Sequence, residues 1–337
     1  MASYISQQSV SQRPPAQHIL TSRALLQEGL RYEMRSLLVA CVAAALVSAV
    51  CAECDACLDG HCYSKHVLPD GTAGSSGDID RRTNTLYVTE YPSEDRLKQC
   101  NLATGTCDEY KVKNIRKIVV DQRNGDIYGN SFRRSGIYKF DLANNKERLL
   151  VPIVKTWYIQ FKDKLYYAAA YTNGIYTFEN GVSRIVPGSE AYNVDSFVVD
   201  KNDDIYFSHT PGAMPVRRRL SNGIVNDDGF LNTISSISLD RDGNAIFFNY
   251  TYPFRYPPPT AGTNVYKKQN GRLVELGAMN DWPFGRPLFD KDNNLVYFLS
   301  TIDPYVNYIT YLKKESGLQC TVQNNRMIWK ISVQTSE

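Results

Sequence analysis

One phrase recurs along this 337-residue chain. "VVDQRNGDIYGNSF", from Val119, returns as "VVDKNDDIYFSH" from Val198, "SLDRDGNAIFFNY" from Ser238 and "LFDKDNNLVYFLS" from Leu288. Aligned on its aromatic residue, the phrase has six copies, at Tyr87, Tyr128, Tyr166, Tyr206, Phe247 and Tyr297, with intervals of 41, 38, 40, 41 and 50 residues. Five copies carry an Asp six or seven residues earlier: Asp80, Asp121, Asp200, Asp240 and Asp290. The third has Phe161-Lys162-Asp163 there and a shorter turn. A period near 40, built from short β-rich runs separated by Asn, Asp and Gly, is the pattern of radially repeated four-stranded sheets.

The rest of each period agrees. "GIYKFD" and "KERLLVP" follow the second copy, and "GIYTFE" and "SRIVP" follow the third, so each unit offers four strands with tight turns. An immunoglobulin-type sandwich would not repeat one phrase six times at even spacing; a two-sheet solenoid is the remaining alternative. The last copy runs short. "RMIWKISV", 326–333, reads as its third strand, and "CYSKHVL", 62–68, is the natural fourth. The expectation is therefore an all-β, six-bladed β-propeller of four-stranded blades, one domain over residues 53–337, closed by pairing of its N- and C-terminal segments. Closure removes exposed sheet edges. Within each inner hairpin, branched residues fill the core and Asp or Asn makes the turn. Calcium binding by these Asp residues is the sharper alternative, but they are spread over six blades rather than gathered in one acidic loop.

The start of the chain reads differently. Residues 1–33 are polar without apolar period, an over-extended leader, and "MRSLLVACVAAALVSAVCAEC" from Met34 has the charged start, apolar centre and small-residue cleavage pattern of a secretory signal over 34–52. Its apolar run of about 14 residues is short of the roughly 20 that a bilayer crossing needs. Cleavage after Ala52 leaves Cys54, Cys57, Cys62, Cys100, Cys107 and Cys320, an even set that a secreted chain holds as disulfides. Cys100 and Cys107 fit a staple across one hairpin; Cys320 bridging to Cys54, Cys57 or Cys62 would lock the ring seam. The competing reading is a zinc site at Cys54, Cys57, His61 and Cys62. The 38 basic and 35 acidic residues nearly balance, which calls for neither nucleic acid nor, once the signal is removed, a membrane.

In a four-stranded blade the loops between second and third strands share one face of the disc with the blade-to-blade links. This face receives the unusual residues. One loop, "NYTYPFRYPPPTAGT", carries Tyr250, Tyr252, Phe254, Arg255 and Tyr256. Others supply Trp157 and Tyr158, His209 and Met214, and Trp282, Phe284 and Arg286, with Arg133, Arg134, Tyr305, Tyr308 and Tyr311 on the same side. Rings interspersed with arginines suit a flat, conjugated, anionic small molecule, stacked by the rings and paired by guanidinium groups. Arg217-Arg218-Arg219 reads as a solvated strand. Asn249-Tyr250-Thr251 is a glycosylation acceptor in sequence.

Catalysis has little support. No paired-His zinc motif and no nucleophile elbow occurs, and no cofactor is expected. A metal-dependent, lactonase-like hydrolase of the gluconolactonase propeller type is the alternative, its channel metal held by scattered side chains such as Asn193, Asp195, Asn232 and Asp281.

Together, "CLDGHCYSKHVL", "TNTLYV", "SGIYKFD", "KDKLYY", "VDSFVVDKNDDIYFS" and "FDKDNNLVYF" resemble the insect ommochrome-binding proteins, over roughly residues 57–333. The resemblance implies a secreted, extracellular haemolymph protein that carries ommochromes, flat and acidic tryptophan-derived pigments. It gives no individual binding positions. The chain departs from the family pattern in Cys54, the Pro-rich insertion at 252–260 and the long loop at 301–325.

Overall fold

The computed structural model describes residues 54–73, 76–89, 96–112, 115–131, 135–152, 156–170, 172–210, 216–227, 231, 233–250, 262–281, 283–300, 307–323 and 326–331. The expected leader and signal therefore lie outside the described residues, as do Arg133, Arg134, Met214, Asn232, Tyr252, Phe254, Arg255, Tyr256, Trp282 and Tyr305.

Of the 26 described strands, 24 fall into six antiparallel four-stranded sets, each beginning with an inner strand. Blade 1 is Gly77–Asp80, Thr85–Thr89, Arg96–Asn101 and Cys107–Lys111; blade 2 is Ile115–Val120, Ile127–Ser131, Gly136–Asp141 and Lys146–Val151. Blade 3 is Thr156–Phe161, Leu165–Ala169, Ile175–Glu179 and Val182–Ile185; blade 4 is Val194–Val199, Ile205–His209, Val216–Ser221 and Ile224–Asn226. Blade 5 is Ser236–Leu239, Ala245–Tyr250, Thr263–Gln269 and Arg272–Met279. Blade 6 takes Phe284–Phe289, Leu295–Ser300 and Asn307–Gln323 from the end of the chain and His61–Ala73 from its beginning.

Period-2 alternation makes each strand serve two interfaces. In blade 4, Phe197 and Val199 pack on blade 3 while Val198 packs on blade 5. Among the described residues, six buried apolar clusters accordingly lie one between each successive pair of blades, with the cluster of Ile79, Leu86, Leu288 and Phe298 joining blade 6 back to blade 1, and a seventh gathers Cys54, Cys57, Cys62 and Cys320 at the seam. The inner strands pack in the same order, that of blade 6 meeting that of blade 1. All six repeat aromatics are buried.

The repeat Asp residues are turn-makers. Asp200 accepts the backbone N–H groups of Asn202 (2.8 Å) and Asp204 (3.0 Å), Asp240 those of Asp242 (2.9 Å) and Asn244 (2.8 Å), and Asp290 those of Asp292 and Asn294 (both 2.8 Å). Asp80 and Asp121 hold the turns at Arg82 and Arg123. These carboxylates are occupied by their own turns, which accounts for the Asp without calcium.

The seam differs from expectation in one strand. Arg326–Ile331 is not the third strand of blade 6; that place belongs to Asn307–Gln323, whose far half extends past the blade and pairs with Arg326–Ile331, Leu318 opposite Ile331. Tyr308 and Tyr311 therefore sit in a strand rather than a loop, and the Tyr311 hydroxyl donates to Asp290 (2.8 Å) at the turn face. A short strand, Ala56–Leu58, lies between blade 5 and His61–Ala73 and ties blades 5 and 6 into one sheet. It approaches Gly277 so closely that a Cβ there would lie 1.8 Å from the Cys57 carbonyl oxygen, so glycine is required. The seam is cross-linked as expected, by Cys57–Cys320, with Cys54–Cys62 beside it and Cys100–Cys107 stapling blade 1. These bonds use the thiols of the alternative zinc reading.

Candidate ligand-binding site

Every inner strand starts at one end of the channel and finishes at the other. At the starting end lies a cavity of about 340 Å³ to which all six blades contribute. Its position is the face chosen from the sequence.

The strands reach it through a shared irregularity. In blades 2, 3 and 4 the pairing of inner with second strand shifts register around Arg116, Trp157 and Asp195, and in blade 6 it shifts between Phe284 and Leu288, across Arg286. A β-bulge frees the extra residue from the ladder and re-aims its side chain. All four residues line the cavity. The geometry thus turns one equivalent position in four blades toward a common space.

Cations dominate that space. Arg116, Lys117, Arg217 and Arg286 line it, against Asp195, which accepts a hydrogen bond from Thr210. Rings form much of the remaining wall: Trp157, Tyr158, Phe197, Tyr206 and Phe298. Arg116 lies over the Trp157 ring at 5.8 Å, Arg286 over the Tyr158 ring at 5.8 Å, and Tyr158 meets Phe197 edge-on at 5.2 Å. Arg286 also donates to the Tyr158 hydroxyl. Stacking of this kind holds the guanidinium planes in place before any ligand arrives.

Burial opposes the charge on Arg286, but Tyr158 and Asp78 together raise its guanidinium above the usual value. Asp78 is itself pushed up by burial, an effect that Arg286, the Val120 N–H and Arg81 counter. Lys117 is lowered by burial, then by Arg116 and Arg286, to about 8. Three cations are thus held near one another in a partly desolvated pocket, an arrangement that an entering anion relieves.

Of the residues singled out from sequence, Trp157, Tyr158 and Arg286 meet in this cavity. His209 does not line it: it is buried against Tyr192, 5.0 Å between ring centroids, and accepts from Arg218 Nε at 3.1 Å, with burial and Arg218 lowering its pKa. Phe284 and Tyr250 have strand backbone. Asn249, half-buried in the second strand of blade 5, pairs with Asn264. Arg217, read as part of a solvated strand, lines the cavity, while Arg218 pairs with Asp227 and Arg219 with Asp204, both 3.2 Å. Arg116 and Lys117 were missed. Within "IRKIVV" they read as ordinary strand polarity, and the alternation that exposes them to the channel becomes visible only with the bulge.

Asn193 is exposed, and Asp281 is engaged by Lys65 (2.8 Å) and the Tyr297 hydroxyl. Among the described residues no three His, Cys, Asp or Glu side chains gather as a metal-holding group.

The far end of the channel is built otherwise. Arg81, after the inner strand of blade 1, donates to the carbonyl oxygens of Phe289 (3.0 Å) and Leu239 (3.1 Å), which end the inner strands of blades 6 and 5. Gln122 accepts from the Arg81 N–H (2.9 Å) and donates to the Ile79 carbonyl (2.7 Å), drawing in blade 2. Four blades are laced there by two side chains.

No family model and no curated protein matches the chain. Solved structures similar to it include the WD40 repeats of RRP9, at 8% identity and a TM-score of 0.54, over 78% of this chain and 100% of that one. Regucalcin from Agrobacterium tumefaciens str. C58, described as a calcium-binding protein, gives 13% identity and a TM-score of 0.54 over 75% and 94%. At such identities the shared property is architecture rather than chemistry: the chain is a β-propeller.

Proposed function

We propose that this protein is a secreted carrier of a flat, acidic aromatic metabolite of the ommochrome kind, bound in the cavity at the starting end of the inner strands. The observation that carries the proposal is the convergence of Arg116, Lys117, Arg217 and Arg286 with Trp157 and Tyr158 in one cavity of about 340 Å³. Arginine and lysine meet a carboxylate or sulfate, and the rings supply stacking area for a conjugated system. The three disulfides suit an oxidising, extracellular setting such as haemolymph. Among the described residues no helix is long and apolar enough to cross a membrane.

The hydrolase reading draws on Asp195 as a cavity carboxylate. Four cations around that carboxylate raise the electrostatic cost of a divalent ion, so the same lining favours an anion.

Titration of the purified protein with an ommochrome and with its neutral ester tests the proposal. The acid is expected to bind at least about tenfold more tightly, as one charge-assisted pair of about 1.5 kcal/mol requires, and Arg286→Ala is expected to erase most of that difference. Equal affinity for acid and ester would remove the basis of the proposal.

A further inference from the structure

The cation least explained by anion binding alone is Lys117. It lies on the inner strand of blade 2 and lines the cavity half-buried. Where Lys65, Lys139, Lys162, Lys267 and Lys291 each meet a carboxylate, Lys117 Nζ has no ion pair or hydrogen bond among the described residues. Its charged neighbours in the cavity are Arg116, adjacent in sequence and stacked over Trp157, and Arg286, held by Tyr158. Asp195, the carboxylate of the lining, is turned to the Thr210 hydroxyl. A lysine that is partly desolvated and set beside other cations is disfavoured as an ammonium and enriched as the neutral amine, the nucleophilic form. The lowering of its pKa to about 8 is in the same direction.

We infer that Lys117 is an amine nucleophile that holds aromatic carbonyl compounds bearing an acid group in this cavity as a protonated imine. The inference rests on the anionic-ligand reading of the cavity and adds a covalent, reversible step to it. The acid group is held by Arg116 or Arg286, the ring packs on Trp157 or Tyr158, and the carbonyl carbon faces the lysine. The nitrogen lone pair of Lys117, exposed by loss of a proton, forms the C–N bond as the carbonyl π bond opens, and the two protons shed by the nitrogen pass through solvent to the carbonyl oxygen. The resulting carbinolamine loses its oxygen as water. Across the sequence one ammonium and one carbonyl become one protonated imine and one water, so charge is conserved and no oxidant or reductant takes part. The flanking arginines then serve two roles: they seat the anion, and with burial they raise the fraction of the lysine present as neutral amine.

Pyridoxal 5′-phosphate is a suitable probe, being a flat aromatic aldehyde with a phosphate. The full-length protein is incubated with one equivalent near pH 8, reduced with borohydride and mapped by peptide mass. The expected result is one secondary-amine adduct per chain at Lys117, favoured by about tenfold or more over the other lysines, since neutral amine fraction sets reactivity. Lys117→Arg, which keeps the charge but removes the nucleophile, should lose that adduct, and non-covalent binding by the unsubstituted protein is followed with anilinonaphthalene sulfonate, an aromatic anion with no carbonyl. Labelling spread over surface lysines and sparing Lys117, with the sulfonate still bound and competed by an ommochrome, would overturn the imine and leave the carrier proposal standing. Absence of binding by probe, sulfonate and pigment alike would overturn both. Labelling at Lys117 without affinity for any ommochrome would keep the nucleophile and overturn the pigment.

Discussion

The two ends of the channel are made from the same six strands and solve different problems. At the far end, short turns close on themselves through Asp carboxylates and bind their neighbours: Arg241 N–H to Asn293 (2.8 Å), Lys201 N–H to Gly243 (2.8 Å) and Arg81 across to two inner-strand carbonyls. Polar groups there satisfy one another. At the starting end, bulges break the ladder in four blades and aim two arginines, a tryptophan and an aspartate into open space. Four cations line the cavity there, with Asp195 the carboxylate of the lining. The first arrangement is what stability demands, since buried donors and acceptors need partners; the second leaves a concave, cation-lined space of the kind an anion enters.

Substitutions should separate the two ends, and the size of the effect should fall from scaffold to site. The largest is expected at the seam that serves both. Replacing Cys57 and Cys320 by Ala frees a link spanning 263 residues and should cost about 4 kcal/mol in denaturant unfolding, weakening ligand binding only as the fold is lost. Next is Arg81→Ala, which leaves the Phe289 and Leu239 carbonyls without their charged donor. A loss of about 3 kcal/mol in stability is expected with affinity unchanged. An affinity loss without destabilisation would merge the two ends and break the distinction.

The reverse pattern is expected at the cavity. Trp157→Ala should remove stacking worth roughly 1–3 kcal/mol by comparison with base–aromatic stacks, about 5- to 150-fold in affinity for an aromatic acid, measured by titration. Its melting temperature should change little, because Trp157 is half-buried at a bulge rather than in an inter-blade cluster. The smallest effect is a pH dependence. Lys117, lowered from 10.5 to about 8, binds fewer protons in the folded than in the unfolded chain between those values. Its contribution to stability therefore rises with pH across that window. Affinity for an anion that does not react with the amine falls in the opposite sense, by roughly threefold as pH climbs through 8 and the ammonium is lost. Lys117→Met should flatten that profile, and a profile unchanged by it would assign the titration elsewhere.

The far end was legible in the sequence and the site only in part, for a physical reason. Turn chemistry and alternation are local, so Asp200-Lys201-Asn202-Asp203-Asp204 before Ile205-Tyr206-Phe207 announces a hairpin and its buried aromatic. Trp157 and Arg286 stood out because such residues are uncommon beside blade links. Arg116, Lys117 and Arg217 did not, because a cation in a strand is ordinary until the register shows which side of it meets the axis. Cys320 was legible as a seam bridge, but the short spacing of Cys54, Cys57 and Cys62 leaves its partner open, and only the pairing of Ala56–Leu58 with blade 5 selects Cys57. The last blade misled because Asn307–Gln323 runs on through a Lys-rich, Gly-containing stretch that resembles a loop. The continuous burial of Ile309 to Leu312, with Ile309 and Tyr311 packed toward blade 1 and Leu312 toward blade 5, marks the true third strand.

A crystal structure of the protein grown with an ommochrome tests the central claim most directly. The account predicts pigment in the cavity at the starting end of the inner strands, its ring system against Trp157 or Tyr158 and its acid group within hydrogen-bonding distance of Arg116, Arg217 or Arg286. Pigment bound at the far end beside Arg81, or on the outer strands with the cavity holding none, would contradict it.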